Sequence, residues 1–402
     1  MDKKLSVGNY LLDNSSFCTG CAACANTCPF NAITMKEDDE GFLYPSVELG
    51  LCTQCGVCIK KCPAINLRKY QDKKLPSTYA YISLNERFRI QSSSGGCFTD
   101  LAQEVLKQNG IIYGACFNDR WEVVHQSAES VFELDNLRMS KYVQSKIGNT
   151  YQNVLRDLKK GRLVMFVGTP CQCEGLKRVL PENSHNLLLV DFICHGVPSP
   201  LVWRKYLSEV SQNDINKIKN ISFRDKHFSW ERYCLTIEKG DNPSSLFKEY
   251  EDVSQNLYLR GFLANLYLRP SCYQCKFCRY DRASDITMAD YWGVGVLEPT
   301  MYDGKGTSLV FLNTKKGSTF FSNLNGKKLK TDFNAAVKHN PSFYRPSPCN
   351  PKRTAFFNEL KNDKNVVNLL EIYLRPPLKI RIKDKVGKIL GLKSLYHLLK
   401  RK

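Results

Sequence analysis

The stretch Cys18–Ile33, CTGCAACANTCPFNAI, places four cysteines at intervals of three, three and four residues and follows the last with a proline. Residues 52–67, CTQCGVCIKKCPAINL, repeat the pattern. Cys18, Cys21, Cys24 and Cys28 align one to one with Cys52, Cys55, Cys58 and Cys62, and each set is followed by Pro and then an Ala-Ile pair. The segment is an internal duplication. Between the two copies, residues 32–47, AITMKEDDEGFLYPSV, read as two short strands around an acidic turn.

Cys-x2-Cys-x2-Cys-x3-Cys-Pro is the bacterial ferredoxin spacing, in which three thiolates hold one [4Fe–4S] cube and the fourth crosses to the other cube. That rule assigns Cys18, Cys21, Cys24 and Cys62 to one cluster and Cys52, Cys55, Cys58 and Cys28 to a second. Structural zinc ranks far behind, because zinc sites favour paired Cys-x2-Cys knuckles. The small residues Gly20, Ala22, Ala23 and Gly56 leave room for backbone N–H groups to approach sulfur. Residues 1–70 therefore read as a two-[4Fe–4S] ferredoxin-type domain. Such a domain moves single electrons, so the source or sink belongs to the rest of the chain.

The 402 residues are 43% apolar, ample for a globular core. The opening MDKKLSVGNYLLDNSS has no apolar leader core, and apolar runs such as LLLVDFIC fall short of the ~18 residues that span a bilayer. The expected setting is the cytoplasm, where 18 cysteines argue for metal or redox work rather than a disulfide scaffold. The formal net charge is +19, and residues Ile372–Lys402 hold ten Lys or Arg against one acid, Asp384. A basic tail on a modestly basic body gives no expectation of a nucleic-acid partner, and no helix-turn-helix pattern supports a regulatory sensor. In the tail, Ile382, Val386, Ile389, Leu390, Leu395, Leu398 and Leu399 recur largely at helical spacing among lysines. That pattern predicts a basic amphipathic helix with peripheral contact at the inner face of the cytoplasmic membrane.

After a linker at residues 71–79, helical and strand patterns alternate. Residues 95–110 read as an amphipathic helix, 111–117 as a strand, 149–161 as a helix, and 162–168 and 186–194 as buried strands. The alternation predicts an α/β core over residues 80–345, α+β overall, and a helical, basic extension over 346–402. Cys171 stands just beyond one buried strand and Cys194 ends the next, and carboxyl ends of strands in an open sheet are where ligands bind. Cys272, Cys275 and Cys278 follow in LRPSCYQCKFC. Two strand-end thiols and one Cys-x2-Cys can make a four-thiolate site or can be packing residues, and spacing leaves both open.

The motifs SSSGGCFTDLA (92–102), SKYVQS (140–145), VGTPCQ (167–172), DFICHGVPSP (191–200), FRDK (223–226), LRPSCYQC (268–275) and SDITMADYWGVG (284–295) occur in this order. Over about residues 75–345 the chain resembles the coenzyme F-420 hydrogenase/dehydrogenase beta-subunit family of iron–sulfur flavoproteins. The resemblance implies FAD and a third [4Fe–4S] cluster on Cys171, Cys194, Cys272 and Cys275, with Cys278 outside the set. It also implies flavin contacts from Ser93, Ser94, Gly95, Gly96, Lys141, Tyr142, Thr169, Asp285 and Asp290. Read without it, the serines and glycines at 93–96 are equally a helix cap, although such a helix start can also hold a phosphate. His195, Arg224 and Lys226 are the candidate catalytic groups. Cys97, Cys116, Cys173, Cys234 and Cys349 read as ordinary thiols. The implied activity is an oxidoreductase passing electrons between the clusters and FAD to reduce or oxidise a small organic substrate or a deazaflavin coenzyme. Its redox partner would be a ferredoxin or a reductase. Fused forms of this kind resemble proteins found among surface-polysaccharide biosynthesis enzymes. The alternative is an electron-transfer subunit without its own substrate, docked on a catalytic partner.

Overall fold

The computed structural model describes residues 7, 15–68, 70, 74–181, 184–240, 246–362 and 364–375. The predicted amphipathic helix of the tail lies outside the described residues. Strands β1 (Ile33–Glu37) and β2 (Leu43–Val47) pair antiparallel, and short helices Ala23–Thr27 and Val57–Lys61 follow the two cysteine loops. The duplication persists in the backbone. Gly20 (φ +66°) corresponds to Gln54 (φ +57°), and Ala22 (φ +58°) to Gly56 (φ +72°), so both loops turn through left-handed residues at the same two places. Successive left-handed turns gather N–H groups into a concavity suited to anionic sulfur, and two of the four positions bear that conformation without a glycine.

The acidic turn between these strands is clamped to the rest of the chain. Arg204 pairs with Glu37 at 2.6 Å, Lys361 with Asp39 at 2.8 Å, and Arg353 with Glu40. The Ser199 hydroxyl donates to the Glu40 carbonyl. Gly41 (φ +81°) packs so closely that a Cβ there would stand 2.5 Å from Leu201 N. Phe42 is fully buried in the same apolar cluster as Trp203, Phe223 and Tyr258. The ferredoxin-type segment is thus part of the main core.

That core is built on an eight-stranded mixed sheet. β3 (Ser77–Ser83), β4 (Ile111–Phe117), β5 (Val123–Ala128), β6 (Val164–Gly168) and β7 (Leu187–Phe192) belong to it. β8 (Ile218–Asp225), β9 (Cys234–Lys239) and β10 (Phe247–Asp252) form a separate antiparallel sheet. β11 (Ile286–Asp290), β12 (Ser308–Leu312) and β13 (Gly326–Lys330) complete the large one in the order β13-β3-β12-β11-β7-β6-β4-β5. β11, β7, β6 and β4 are parallel neighbours, with antiparallel strands at both edges. β3 starts at Ser77, inside the predicted linker, because it pairs with β12 and β13.

The parallel strands read as continuous apolar runs because both faces are covered. Met165, Leu188 and Val190 pack with Leu101 and Val105 of helix Cys97–Lys107. The alternate residues Val164, Phe166, Leu187 and Leu189 pack with Tyr151, Val154 and Leu176 and with Ala22 and Ala23 of the first cysteine loop. The chain leaves β6 through Thr169, whose side chain caps helix Pro170–Val179 in a box with Gln172, and Pro170 occupies the first turn. Cys171 is therefore fixed at a helix start beside the carboxyl end of β7.

Candidate iron–sulfur and ligand site

Three cavities are walled by cysteines. Cys18, Cys21, Cys24 and Cys62 line the first, with Met35, Pro45, Pro63 and Ile65 as apolar wall. Cys28, Cys52, Cys55 and Cys58 line the second, with Phe30, Ile33 and Val57. In each, the fourth cysteine comes from the other repeat, the exchange that the spacing predicts. Cys171, Cys194, Cys272 and Cys275 line the third, and Cys278, which the resemblance leaves out, lines it too. Among the described residues no group of three or more His, Cys, Asp or Glu side chains is placed to hold a metal ion.

The third cavity is assembled from distant parts of the chain. Cys171 comes from the helix after β6, Cys194 from the end of β7, and Cys272 from the 3-10 helix Pro270–Gln274, which Cys275 follows. Donors already face the sulfurs: Val197 N to Cys272 at 3.4 Å, Phe277 N to Cys275 at 3.4 Å, and Thr169 Oγ1 at 3.1 Å from Cys171. Val7 N does the same for Cys58 at 3.3 Å. The Thr19 hydroxyl, buried and without a hydrogen-bond partner among the described residues, belongs to the loop between Cys18 and Cys21 and lines the third cavity. An orphaned donor in a thiol-walled cavity fits a group rich in sulfur acceptors.

Burial pushes the Cys171 thiol up to about 11 and Cys272 up to about 12 and raises Cys194 as well, with neighbouring thiolates adding to each shift. Burial likewise raises Cys21, Cys24, Cys58 and Cys62. A hydrogen bond with Cys278 holds Cys275 down at about 7. Iron must displace protons from the raised thiols, so cluster assembly is coupled to proton release.

The first and third cavities share a wall. Thr19 lines both, and the Cys21 sulfur packs on helix Pro170–Val179, 3.2 Å from where a Cβ on Gly175 would stand. Gln144 also lines the third cavity and donates from Nε2 to the Thr19 carbonyl at 3.0 Å.

A second polar locus lies beyond Phe262, which stacks on Tyr142 at 4.7 Å and meets His195 edge-on at 5.1 Å. Here Arg224, fully buried, pairs with Asp290 at 2.9 Å and donates to the Ser93 carbonyl at 3.3 Å, its guanidinium 3.9 Å from the Tyr233 ring. Lys226 donates to the carbonyls of Ser94, Lys305 and Arg89. Burial is the main cause that lowers its ammonium to about 7. Ser93, Ser94, Tyr142, Arg224, Lys226 and Asp290 are thus brought together at the carboxyl end of β11.

Other predicted site residues are placed differently. Asp285 precedes β11 while Asp290 ends it, so the strand separates them, and the Asp285 carboxylate accepts from Leu189 N and the Thr314 hydroxyl. Lys141 turns its ammonium into the carbonyls of Asn136, Arg138 and Met139. Gly95 is glycine because a Cβ would stand 2.2 Å from the Tyr81 carbonyl, a packing requirement, and Gly96 (φ +92°) starts helix Cys97–Lys107. Thr169 serves the helix cap and Cys171. His195 lines the third cavity and sits away from Arg224. Its Nε2 donates to Asn265 Oδ1 at 2.6 Å, and burial lowers the ring's pKa against the opposing effect of that hydrogen bond. Sequence reasoning missed Thr99 and Arg138, whose buried Oγ1 and Nε, like Arg224 Nε, have no partner among the described residues. All three flank the 92–96 loop. Arg138 sits two residues before SKYVQS, which was the available signal.

Residues 17–66 match the family described as 4Fe-4S dicluster domain, and residues 161–333 match the family described as the C terminus of the coenzyme F420 hydrogenase/dehydrogenase beta subunit. No curated protein matches the chain. A chain from a xenon-derivatised F420-reducing [NiFe] hydrogenase complex of Methanosarcina barkeri aligns at 15% identity and a TM-score of 0.45, over 73% of this chain and 90% of its own. By its two family matches the chain is an iron–sulfur electron-transfer protein that joins a 4Fe-4S dicluster domain to a domain of the coenzyme F420 hydrogenase/dehydrogenase beta-subunit family.

Proposed function

We propose that the chain is a flavin-dependent oxidoreductase with three [4Fe–4S] clusters in series. Electrons pass between a redox partner, a ferredoxin or a reductase, and the Cys28/Cys52/Cys55/Cys58 cluster, where Cys55 is exposed. They continue through the Cys18/Cys21/Cys24/Cys62 cluster to a cluster on Cys171, Cys194, Cys272 and Cys275. The observation that carries this order is the shared wall: Thr19 lines both inner cavities and the Cys21 sulfur abuts the helix that bears Cys171.

FAD is proposed at the locus around Arg224, supported by the three unpartnered donors that flank the 92–96 loop. Bound there, FAD supplies the exchange between single electrons and a two-electron substrate. Arg224 and Lys226 would hold the anionic part of flavin or substrate, with Asp290 and the Ser93 and Ser94 carbonyls fixing both cations. His195 offers a ring nitrogen near the core cysteines. The substrate is a small organic molecule or a deazaflavin coenzyme, and a role in surface-polysaccharide biosynthesis belongs to the same proposal.

Anaerobic reconstitution tests it. The chain is expected to take up about twelve irons and Cys171→Ala about eight, since each cube holds four. Denaturation should also release FAD from the native protein. Equal iron near eight in both proteins would remove the third cluster, and a chain that neither releases nor takes up flavin would end the flavoprotein reading.

A further inference from the structure

Arg269 precedes the Pro270–Gln274 turn and is fully buried. Its guanidinium reaches out of the core into the dicluster segment. Nε donates to the Cys18 carbonyl at 2.7 Å, Nη2 to the Leu43 carbonyl at 3.0 Å and Nη1 to Gln144 Oε1 at 2.9 Å. The ring of Tyr44 lies 4.2 Å from its central carbon. A Cβ on Gly20 would stand 2.8 Å from Nη1, so the first cysteine loop is glycine where it meets this side chain. On its own backbone, the Arg269 carbonyl accepts from Cys272 N at 2.9 Å. One residue therefore grips a cysteine of the first cavity with its side chain and a cysteine of the third with its main chain.

All of its hydrogen-bond acceptors are neutral, and among the described residues no carboxylate pairs with it. The other most deeply buried arginines differ: Arg224 has Asp290 and Arg282 has Asp191. A buried charge without a counter-charge is costly, and proteins pair such charges or set them against a bound ion. The negative charge available on both sides of Arg269 is that of the thiolates.

We propose that Arg269 is a positioning residue and shared counter-charge for the two inner clusters, fixing their separation and raising the reduction potential of both. The inference rests on the three-cluster reading for the Cys171 site and on the dicluster family alone for the Cys18 site. A fixed cation favours the more negative, reduced cluster, and cluster potentials respond to nearby charge and hydrogen bonding.

The test is potentiometric titration, followed by EPR, of the reconstituted full-length chain carrying Arg269→Gln, Arg269→Lys or Gln144→Glu. In R269Q the two inner clusters are expected to fall at least tenfold in reduced-to-oxidised ratio at fixed potential, about 59 mV for a one-electron couple. The outer Cys28/Cys52/Cys55/Cys58 cluster should keep its potential. R269K should retain most of the shift-determining charge. Q144E, which keeps Arg269 but gives it a carboxylate, should lower the same two clusters. Unchanged inner potentials in R269Q and Q144E at full iron content would overturn the proposal, as would an equal shift of all three clusters. If R269Q fails to load iron, Q144E alone decides. Iron near eight in the unsubstituted chain would refute the core cluster itself, and the shift at the Cys18 cluster would still read the role of Arg269.

Discussion

Phe42→Ala separates a docked dicluster segment from an independent one. Phe42 lies on the β1–β2 hairpin, yet it is fully buried among Trp203, Phe223 and Tyr258 of the main core. Removing a buried Phe costs about 3–5 kcal/mol. The Glu37, Asp39 and Glu40 ion pairs around it are partly exposed and supply little to offset that loss. Since the rest of the core retains its own contacts, the loss should fall on local opening of the hairpin. At 1.4 kcal/mol per tenfold, opening rises by about a hundredfold to a few thousandfold. Hydrogen exchange on the full-length apo chain reads this amide by amide. Residues Ile33–Glu37 and Leu43–Val47 are expected to exchange at least a hundredfold faster, while Leu187–Phe192 of β7 changes severalfold at most. Equal acceleration in hairpin and β7 would refute a local docking role, and so would no change in either.

Gly175→Ala places a methyl 3.0 Å from the Tyr151 hydroxyl and 3.2 Å from the Cys21 sulfur. Overpacking of about 1–3 kcal/mol should exceed the gain of up to ~1 kcal/mol from alanine in a helix. A lower urea midpoint and weaker retention of the Cys18 cluster are expected, and a stabilised variant with full iron would count against the shared wall. Lys226, lowered to about 7 chiefly by burial, gives a pH signature. Between about pH 7 and the ordinary lysine value, the unfolded chain binds a proton that the folded chain has shed. The burial penalty is therefore fully present below about 7 and is relieved as pH rises through that window. Apo protein should gain stability from pH 7 to 9 relative to Lys226→Met, as followed by urea unfolding at each pH, and parallel pH profiles would show that the ammonium does not titrate there.

What was legible in the sequence was local. The cysteine repeat, the β1–β2 hairpin, strands β4, β6 and β7, and the helices after residues 96 and 149 announce themselves through spacing, apolar runs and glycine stops. β3 was hidden because Ser77–Ser83 follows a polar segment and owes its strand to pairing with β12 and β13, far away in sequence. Asp285 and Asp290 looked equivalent beside Trp292, yet a five-residue strand carries them to opposite ends. Lys141 looked like a ligand cation, and only the folded chain shows three carbonyls around it. Arg269 stood in plain view in LRPSCYQC, but its acceptors at Cys18, Leu43 and Gln144 are more than a hundred residues away. Side-chain contacts across that separation leave no periodicity to read.

The burial of the three thiol sites explains why such a contact is needed. In the outer site Cys55 is exposed and Cys58 buried, and burial raises Cys21 and Cys24 of the next site as well as Cys171, Cys194 and Cys272 of the proposed core site. The desolvation that keeps these thiols protonated also penalises the extra charge of a reduced cluster. Burial alone would make reduction of the two inner sites harder, holding electrons at the exposed end beside the partner. A cation buried without a carboxylate, set between the two inner sites, acts in the opposite sense at both. Its own desolvation cost is offset only when the clusters supply the negative charge, so cluster loading should tighten the contact between the dicluster segment and the core. The Phe42→Ala experiment reads this directly: hairpin exchange in the holo chain should be slower than in the apo chain, and Arg269→Gln should erase most of that difference.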